Sequence, residues 1–268
     1  VYYLFRTVGT VSHPSNNALT ATSGTFSTTL GVTGQTVLGA ASAPSLWSSS
    51  NNFIISDTSS DGGMAILSGT SGNGNIMFSD TTAGAFSDAR GLITYLHASD
   101  DMRFMTANTE HMRISSIGAV TKPNQPAFNV HKNNSAQQNI AVNLDVTVTF
   151  GAEFFDVNSD FDTSNSTFTA PVTGKYFFTT ALRFAQLDTD ANFHVISILT
   201  SNRQYRTIVD PNDTFQGDPD FYSMTTTTLA DMDAGDTARV EFNQGAGSAI
   251  ADISGDTQFS YFAGCLIC

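Results

Sequence analysis

The residues best suited to chemistry in this sequence are acidic side chains concentrated between positions 210 and 220. This stretch holds four carboxylates, one asparagine and two prolines. Carboxylate and amide oxygens are the ligands that Ca²⁺ prefers in proteins, but the stretch lacks the regular spacing and final Glu of an EF-hand loop. It is therefore either a solvated acidic loop or a loop that binds calcium or a receptor. The candidate receptor-binding residues here are Asp210, Asn212, Asp213, Asp218 and Asp220, and the candidate calcium ligands are the four aspartates among them.

A second acidic pair, Asp188 and Asp190, lies in the polar stretch 186–192. Paired carboxylates also carry out glycoside hydrolysis, but only at a defined separation in space, which a sequence does not reveal. The five histidines are scattered without metal-ligand spacing, and no Gly-x-Ser-x-Gly element is present. We therefore predict no enzymatic activity and no cofactor apart from calcium. Because binding residues concentrate on loops held by a rigid scaffold, we expect loops 186–192 and 210–220 to bind a partner.

The composition indicates that β-structure positions these loops. Charged residues make up only 13 % of the chain, about half the usual share, and Ser, Thr, Asn and Gly take their place. Thr and aromatic residues favour strands, and the chain contains 21 Phe. The net charge of −13 argues against a nucleic-acid partner. No apolar run approaches the roughly 20 residues of a membrane-spanning helix, so we expect no membrane insertion.

The first 121 residues divide into two segments. In residues 1–51, sparse apolar residues are separated by Thr, Ser, Gly and Ala, most clearly over 18–43. One such chain buries too little apolar surface to fold alone, so we interpret the segment as a fibrous shaft of several chains, with a flexible linker as the alternative. Residues 52–121 are predicted to be a shaft or collar rich in β-hairpins. Its short strand-like runs are 53–55, 64–67, 75–78, 91–95, 102–104 and 112–114.

An internal echo supports the hairpin interpretation. The run Asp100-Asp101-Met102-Arg103-Phe104 recurs as Glu110-His111-Met112-Arg113-Ile114. If the two runs pair antiparallel, the Met and the bulky apolar residues share one face, and the arginines share the other. The acidic residues can then lie near the arginines of the partner strand.

Residues 122–268 are predicted to form a separate domain that begins near Pro123 and Pro126, because proline is excluded from central strands. Phe168 and Ala170 alternate with threonines, the pattern of a half-buried strand. The run Tyr176-Phe177-Phe178 then requires burial in a sheet. The predicted strands are 125–130, 140–142, 146–150, 168–170, 176–184, 193–199, 222–229, 238–242 and 259–267.

The order of these features resembles the globular heads of the complement collagen-like subcomponent, which share a jelly roll with the tumour necrosis factor family. The resemblance is carried by FTAPVTGKYFF at 168–178, the Gly235-Asp236 turn before an alternating strand, and the closing strand at 259–267. Ala263 stands where that family commonly has Ser. The resemblance implies an all-β, TNF-like jelly roll that assembles as a homotrimeric binding knob.

A second resemblance concerns the region before this domain. LGVTGQTVLG at 30–39 and the segment 91–114 look like the repetitive shafts of phage tail fibres, and no collagen-like Gly-X-Y repeat occurs. The two resemblances imply the distal part of a trimeric bacteriophage tail fibre, an extracellular virion protein for host attachment. Its receptor would be a bacterial surface glycan or protein. Because the chain starts at Val1 rather than Met, we expect a preceding part that contacts other fibre or tail proteins. The alternatives are a head fibre or capsid decoration protein, a polysaccharide-degrading fibre, and a secreted complement-like lectin.

Overall fold

The computed structural model describes residues 36–39, 53–56, 64–80 and 89–268. The chain divides into two compact units, Val1–Ile66 and Leu67–Cys268. In the first unit, strand β1 (Thr36–Gly39) pairs in parallel with β2 (Phe53–Ser56). The rest of the predicted shaft, 1–51, lies outside the described residues, so the fibrous interpretation and the boundaries at 51 and 121 stay predictions. Among the described residues, no helix is long and apolar enough to cross a membrane.

A five-stranded antiparallel sheet, here called the meander sheet, opens the second unit, with its strands paired in chain order. The runs predicted at 75–78, 91–95, 102–104 and 112–114 are all strands in it. The prediction for 64–67 is wrong, because these residues form no strand and are exposed. The strands are β3 (Asn73–Ser79), β4 (Ala89–Leu96), β5 (Asp101–Thr106), β6 (Thr109–Ile114) and β7 (Val120–Thr121).

The echo within this sheet folds as predicted. Strands β5 and β6 pair antiparallel, with Arg103 opposite Arg113 on one face and Phe104 opposite Met112 on the other. The arginines share two carboxylates: Asp101 lies 3.6 Å from Arg103 and 3.4 Å from Arg113, and Glu110 lies 3.3 Å and 2.7 Å from them. Alternation along each strand thus separates a charged face from an apolar one.

Residues 127–266 form the predicted jelly roll, in which two antiparallel sheets enclose one core. The first sheet runs in the order β10-β8-β19-β13-β16, with β18 beside β13. Its strands are β8 (Ala127–His131), β10 (Ala152–Asp156), β13 (Gly174–Gln186), β16 (Tyr222–Met232), β18 (Asp252–Ile253) and β19 (Tyr261–Leu266). The second sheet runs β11-β12-β17-β14-β15, with β9 beside β17. Its strands are β9 (Val146–Thr147), β11 (Phe161–Asp162), β12 (Thr167–Thr169), β14 (Phe193–Thr200), β15 (Gln204–Val209) and β17 (Thr237–Gly245). The short helix α1 (Pro211–Thr214) follows β15.

Aromatic side chains fill the space between the two sheets. Phe128 lies at the centre, with ring centroids 4.8 Å from Phe168, 5.0 Å from Phe262 and 5.2 Å from Phe161. Phe168 and Ala170 are buried, as their alternation with threonines predicts. Aromatic burial of this kind dominates the energy of a core.

Three details of the predicted strands are corrected by the structure. Tyr176 and Phe178 are buried, but Phe177 is 39 % exposed, because successive side chains of a strand point to opposite faces. Residues 140–142 form no strand; Ile140 is buried and its amide donates to the carbonyl of Ala251. The strand predicted at 146–150 is limited to the two residues of β9.

Candidate functional site

The strand register places the candidate binding loops at one end of the jelly roll. The chain enters at Ala127, which lies opposite Cys265, and β13 begins beside Leu266; we call this end the base. At the other end, here called the tip, Phe184 lies opposite Tyr222 and Phe193 opposite Gly245. Loops 187–192, 210–221 and 246–251 therefore all lie at the tip, away from the point where the chain enters.

The two loops singled out in the sequence are joined directly. Asp218 accepts hydrogen bonds from both the amide and the hydroxyl of Thr189, each at 2.7 Å. The hydrogen bond from the Thr189 amide, followed by that from its hydroxyl, lowers the pKa of Asp218 below its ordinary value. These bonds stabilise the charged carboxylate and hold two loops together that are 29 residues apart in the chain.

Asp188 occupies a different position from the other candidates, because its side chain is only 4 % exposed. Its carboxylate accepts hydrogen bonds from the amides of Asp190, at 2.9 Å, and of Ser248. Gly247 has a φ of +74°, and a Cβ there would collide with the same carboxylate. Asp188 therefore braces loop 187–192 against loop 246–251 and does not face solvent.

The remaining candidates, Asp190, Asp210, Asn212, Asp213 and Asp220, are exposed at the tip, as is Asp218. Pro211 begins helix α1 and is buried, and the Phe215 ring packs edge-on against Tyr222 at 4.9 Å. These contacts fix the loop that presents the carboxylates. Within the described ranges, no three His, Cys, Asp or Glu side chains are grouped so as to hold a metal ion. Receptor and calcium binding by these residues stay predictions.

A polar pair lies buried beneath the braced loops. His194 is fully buried, and among the described residues neither of its ring nitrogens has a hydrogen-bond partner. Its ring stacks on Phe242 at 5.8 Å, and its register partner across to β17 is Gln244. Burial lowers the pKa of His194, whereas Gln244 and the charge of Asp188 act in the opposite direction.

The tip also contains an arginine cluster that sequence reasoning missed. The guanidinium of Arg183 lies between two exposed phenylalanine rings, 4.2 Å from the centroid of Phe259 and 5.1 Å from that of Phe221. The same guanidinium donates to Ser254, at 2.8 Å, and to Asp256. Such cation–π contacts join residues far apart in the chain. The sequence signal was a single Arg at an outward position of a long alternating strand, which does not identify its partners.

An apolar groove runs along the face of the first sheet that points away from the jelly-roll core. It has a volume of about 220 Å³ and is lined mainly by apolar side chains on strands β8, β10, β13 and β19. Phe155 and Phe177 are exposed, whereas Cys265 is a free thiol of intermediate exposure. The lining side chains that point outward are Ala127, Phe155, Phe177, Thr179, Ala263 and Cys265.

Comparison with known proteins agrees with this architecture. The family model described as C1q domain matches residues 127–267. This chain belongs to the C1q domain family. Domains of the C1q and TNF-like type are generally binding modules without enzymatic activity, and they often form trimers. No curated protein sequence matches the chain.

Solved structures are similar to about half of the chain. The globular domain of zebrafish complement 1qA protein is 20 % identical, covering 54 % of this chain and 98 % of its own, with a TM-score of 0.35. Murine APRIL at pH 8.5 is 11 % identical, covering 53 % of this chain and 99 % of its own, with a TM-score of 0.39. Murine APRIL at pH 5.0 is 12 % identical with the same coverage and a TM-score of 0.38.

Proposed function

We propose that this protein is a homotrimeric adhesion protein, the distal part of a bacteriophage tail fibre, whose C1q domain binds a receptor on the bacterial surface. The observation that carries the proposal is the position of the candidate loops. They lie together at the tip, opposite the end at which the chain enters from the preceding segments. A receptor approaching along the fibre axis would therefore meet loops 187–192 and 210–220 first.

The outward apolar groove supports the trimer. Phe155, Phe177 and Leu229 are exposed on the first sheet. No charged side chain lines the groove beside Phe155 and Phe177. Interfaces between identical subunits are more apolar than ordinary protein surface. Three copies packed through this face would cover these side chains and leave the three tips free. Presenting three weak sites on one body increases the strength of attachment without new contacts.

The virion setting rests on the shaft-like sequences at 30–39 and 91–114. Family membership alone is equally compatible with a secreted complement-like lectin. The two functions differ in their expected effect on the adsorption of phage to host cells. A fibre tip competes with phage for its receptor, so an excess of the purified full chain should block adsorption of the corresponding phage to its host. A secreted lectin would bind cells without protecting them from that phage.

The binding site is tested by substituting an exposed tip carboxylate in the full chain. We expect Asp213→Ala to weaken binding of fluorescently labelled protein to intact bacterial cells. The matched control is Glu153→Ala, which removes an exposed carboxylate from β10, away from the tip loops. Equal losses for the tip and control variants would indicate a general charge effect and count against the tip as the binding site.

The alternative of a polysaccharide-degrading fibre has its own test. The purified protein is incubated with glycan extracted from cells to which it binds, and the chain length of the glycan is followed over time. We expect binding without shortening. Shortened chains would replace simple adhesion by catalysis as the function.

A further inference from the structure

The meander sheet carries an apolar face that remains uncovered in the single chain. The register aligns Ile76, Ile93, Phe104 and Met112 across four strands on one face. Phe78 and Ile114 extend the same row of side chains, which we call the apolar face. Ile76 is 39 % exposed and Phe78 is 59 % exposed, and the other four are only partly buried. None of the six belongs to the jelly-roll core.

The opposite face of the same sheet carries charges that are paired within the chain. It carries the network of Asp101, Glu110, Arg103 and Arg113, in which the two acidic and two basic groups compensate each other. Leu92 and Thr94 on this face are buried. The charges of the central strands thus lie together on one face, while the apolar face carries no Asp, Glu, Lys or Arg from these strands.

The link between the two sheets holds the meander sheet close to the base of the jelly roll. Only residues 122–126 separate β7 from β8. The Asn124 side chain donates to the carbonyl of Glu110 at 2.9 Å, and the backbone carbonyl of Asn124 accepts from the Asn158 side chain at 3.2 Å. Gln125 donates to the carbonyl of Leu266 at 2.8 Å. The association of three jelly rolls would therefore bring three meander sheets together as well.

We propose that the apolar face of the meander sheet packs against the same face of other copies of this chain, continuing the trimer beyond the C1q domain. This inference rests on the trimer of the proposed function. Contiguous apolar side chains that stay exposed mark interaction surfaces. The chain is strongly acidic overall, but this face carries no charge with which to attract an unlike partner. It can pack against the same face of another copy without burying an unpaired charge, so a second copy is the occupant we infer. The segment before the jelly roll is then part of the assembly and not a passive spacer.

Neighbouring residues on β3 provide a matched test. Ile76 lies on the apolar face, and Met77, which is 50 % exposed, lies on the opposite face. In the full chain with Cys265→Ser and Cys268→Ser, a single cysteine is placed at either position by Ile76→Cys or Met77→Cys. Each variant is treated with a flexible bis-maleimide at micromolar concentration and run on a denaturing gel. Thiols that face one another in an assembly have a local concentration of roughly millimolar, whereas thiols at position 77 would face away from the other copies, so we expect about tenfold more cross-linked chains for position 76 than for position 77.

Light scattering on the same samples separates the two proposals. A mass of three chains with cross-links at position 76 supports both. A mass of three chains without them, or with equal cross-linking at 76 and 77, would overturn the packing of the apolar face and leave the jelly-roll trimer intact. A mass of one chain would overturn the trimer and, with it, this inference. As a second readout, Ile76→Glu should lower the melting temperature of the assembled protein, whereas Met77→Glu should not.

Discussion

At the scale of single residues, Lys132 is the least expected occupant of the jelly-roll interior. It is 1 % exposed, and its ammonium donates to two neutral acceptors, Gln137 at 3.2 Å and Thr149 at 3.0 Å. Burial lowers its pKa from 10.5 to about 8. The unfolded chain therefore binds this proton more tightly than the folded chain, and the free energy of unfolding rises as the pH increases from about 8 to about 10.5.

The variant Lys132→Met tests this charge. Met keeps the length of the buried side chain, and Gln137 still accepts from the amide of Thr149 at 3.1 Å. At pH 7.5 we expect the variant to be more stable than the wild type by up to about 3 kcal/mol, the equivalent of the pKa difference. The gain should shrink at pH 9.5. Urea unfolding at both pH values measures it, with the exposed Lys122→Met as control. A wild-type stability that does not change between the two would contradict the prediction.

His194 should make the stability of the protein depend on pH in the acidic range. Its pKa is lowered, chiefly by burial, so the unfolded state binds more protons once the pH falls below about 6.5, the ordinary histidine value. The wild type should lose stability between pH 7 and 5, with a slope of at most about 1.4 kcal/mol per pH unit for one proton. In His194→Leu this slope should be reduced, whereas in His111→Gln, an exposed control, it should persist. Thermal melting at several pH values gives the comparison.

At the scale of elements, two neighbouring residues of β13 have different roles, one in the stability of the domain and the other in the proposed assembly. Phe178 faces the core, and Phe177 faces the apolar groove. We expect Phe178→Ala to lower the free energy of unfolding by about 3–5 kcal/mol, because it leaves a cavity among aromatic rings. Phe177→Ser should keep the native circular dichroism spectrum but shift the mass in solution towards one chain. A Phe177→Ser protein that keeps its trimeric mass would show that this face is not the interface.

The strands that the sequence predicts best are those with one buried and one solvent-facing side. The alternation in β13 is visible directly, because buried and less buried side chains follow one another along the whole strand. Strands β10 and β15 were missed because neither contains a fully buried side chain, so their sequences carry little apolar signal. The acidity of both tip loops was visible too. The bond from Asp218 to Thr189 and the burial of Asp188 were not, since both depend on backbone amides supplied by distant loops.

At the scale of the whole molecule, the number of tips per particle should govern attachment. A single-chain variant such as Phe177→Glu retains every tip residue but presents one site in place of three. If the tip binds cells as proposed, its apparent affinity for the cell surface should fall by about 10² to 10⁴ relative to the wild type. Titration of labelled protein on intact cells measures this, with the mass of each sample checked by light scattering. Equal affinity for one and three chains would mean that a single tip suffices.

The length of β13 has a mechanical consequence for a protein anchored at its base and held at its tip. This strand runs the full distance between the two ends, from Gly174 to Gln186. It is paired over eleven residues with β16 and over six with β19. If the protein attaches a particle to a cell as proposed, a pull between its base and its tip would act along these strands, so their cross-strand hydrogen bonds would be loaded in shear and would have to break together, not one after another as in peeling. On the proposed function, the direction of greatest mechanical resistance in the domain would coincide with the direction in which an attached particle is dragged.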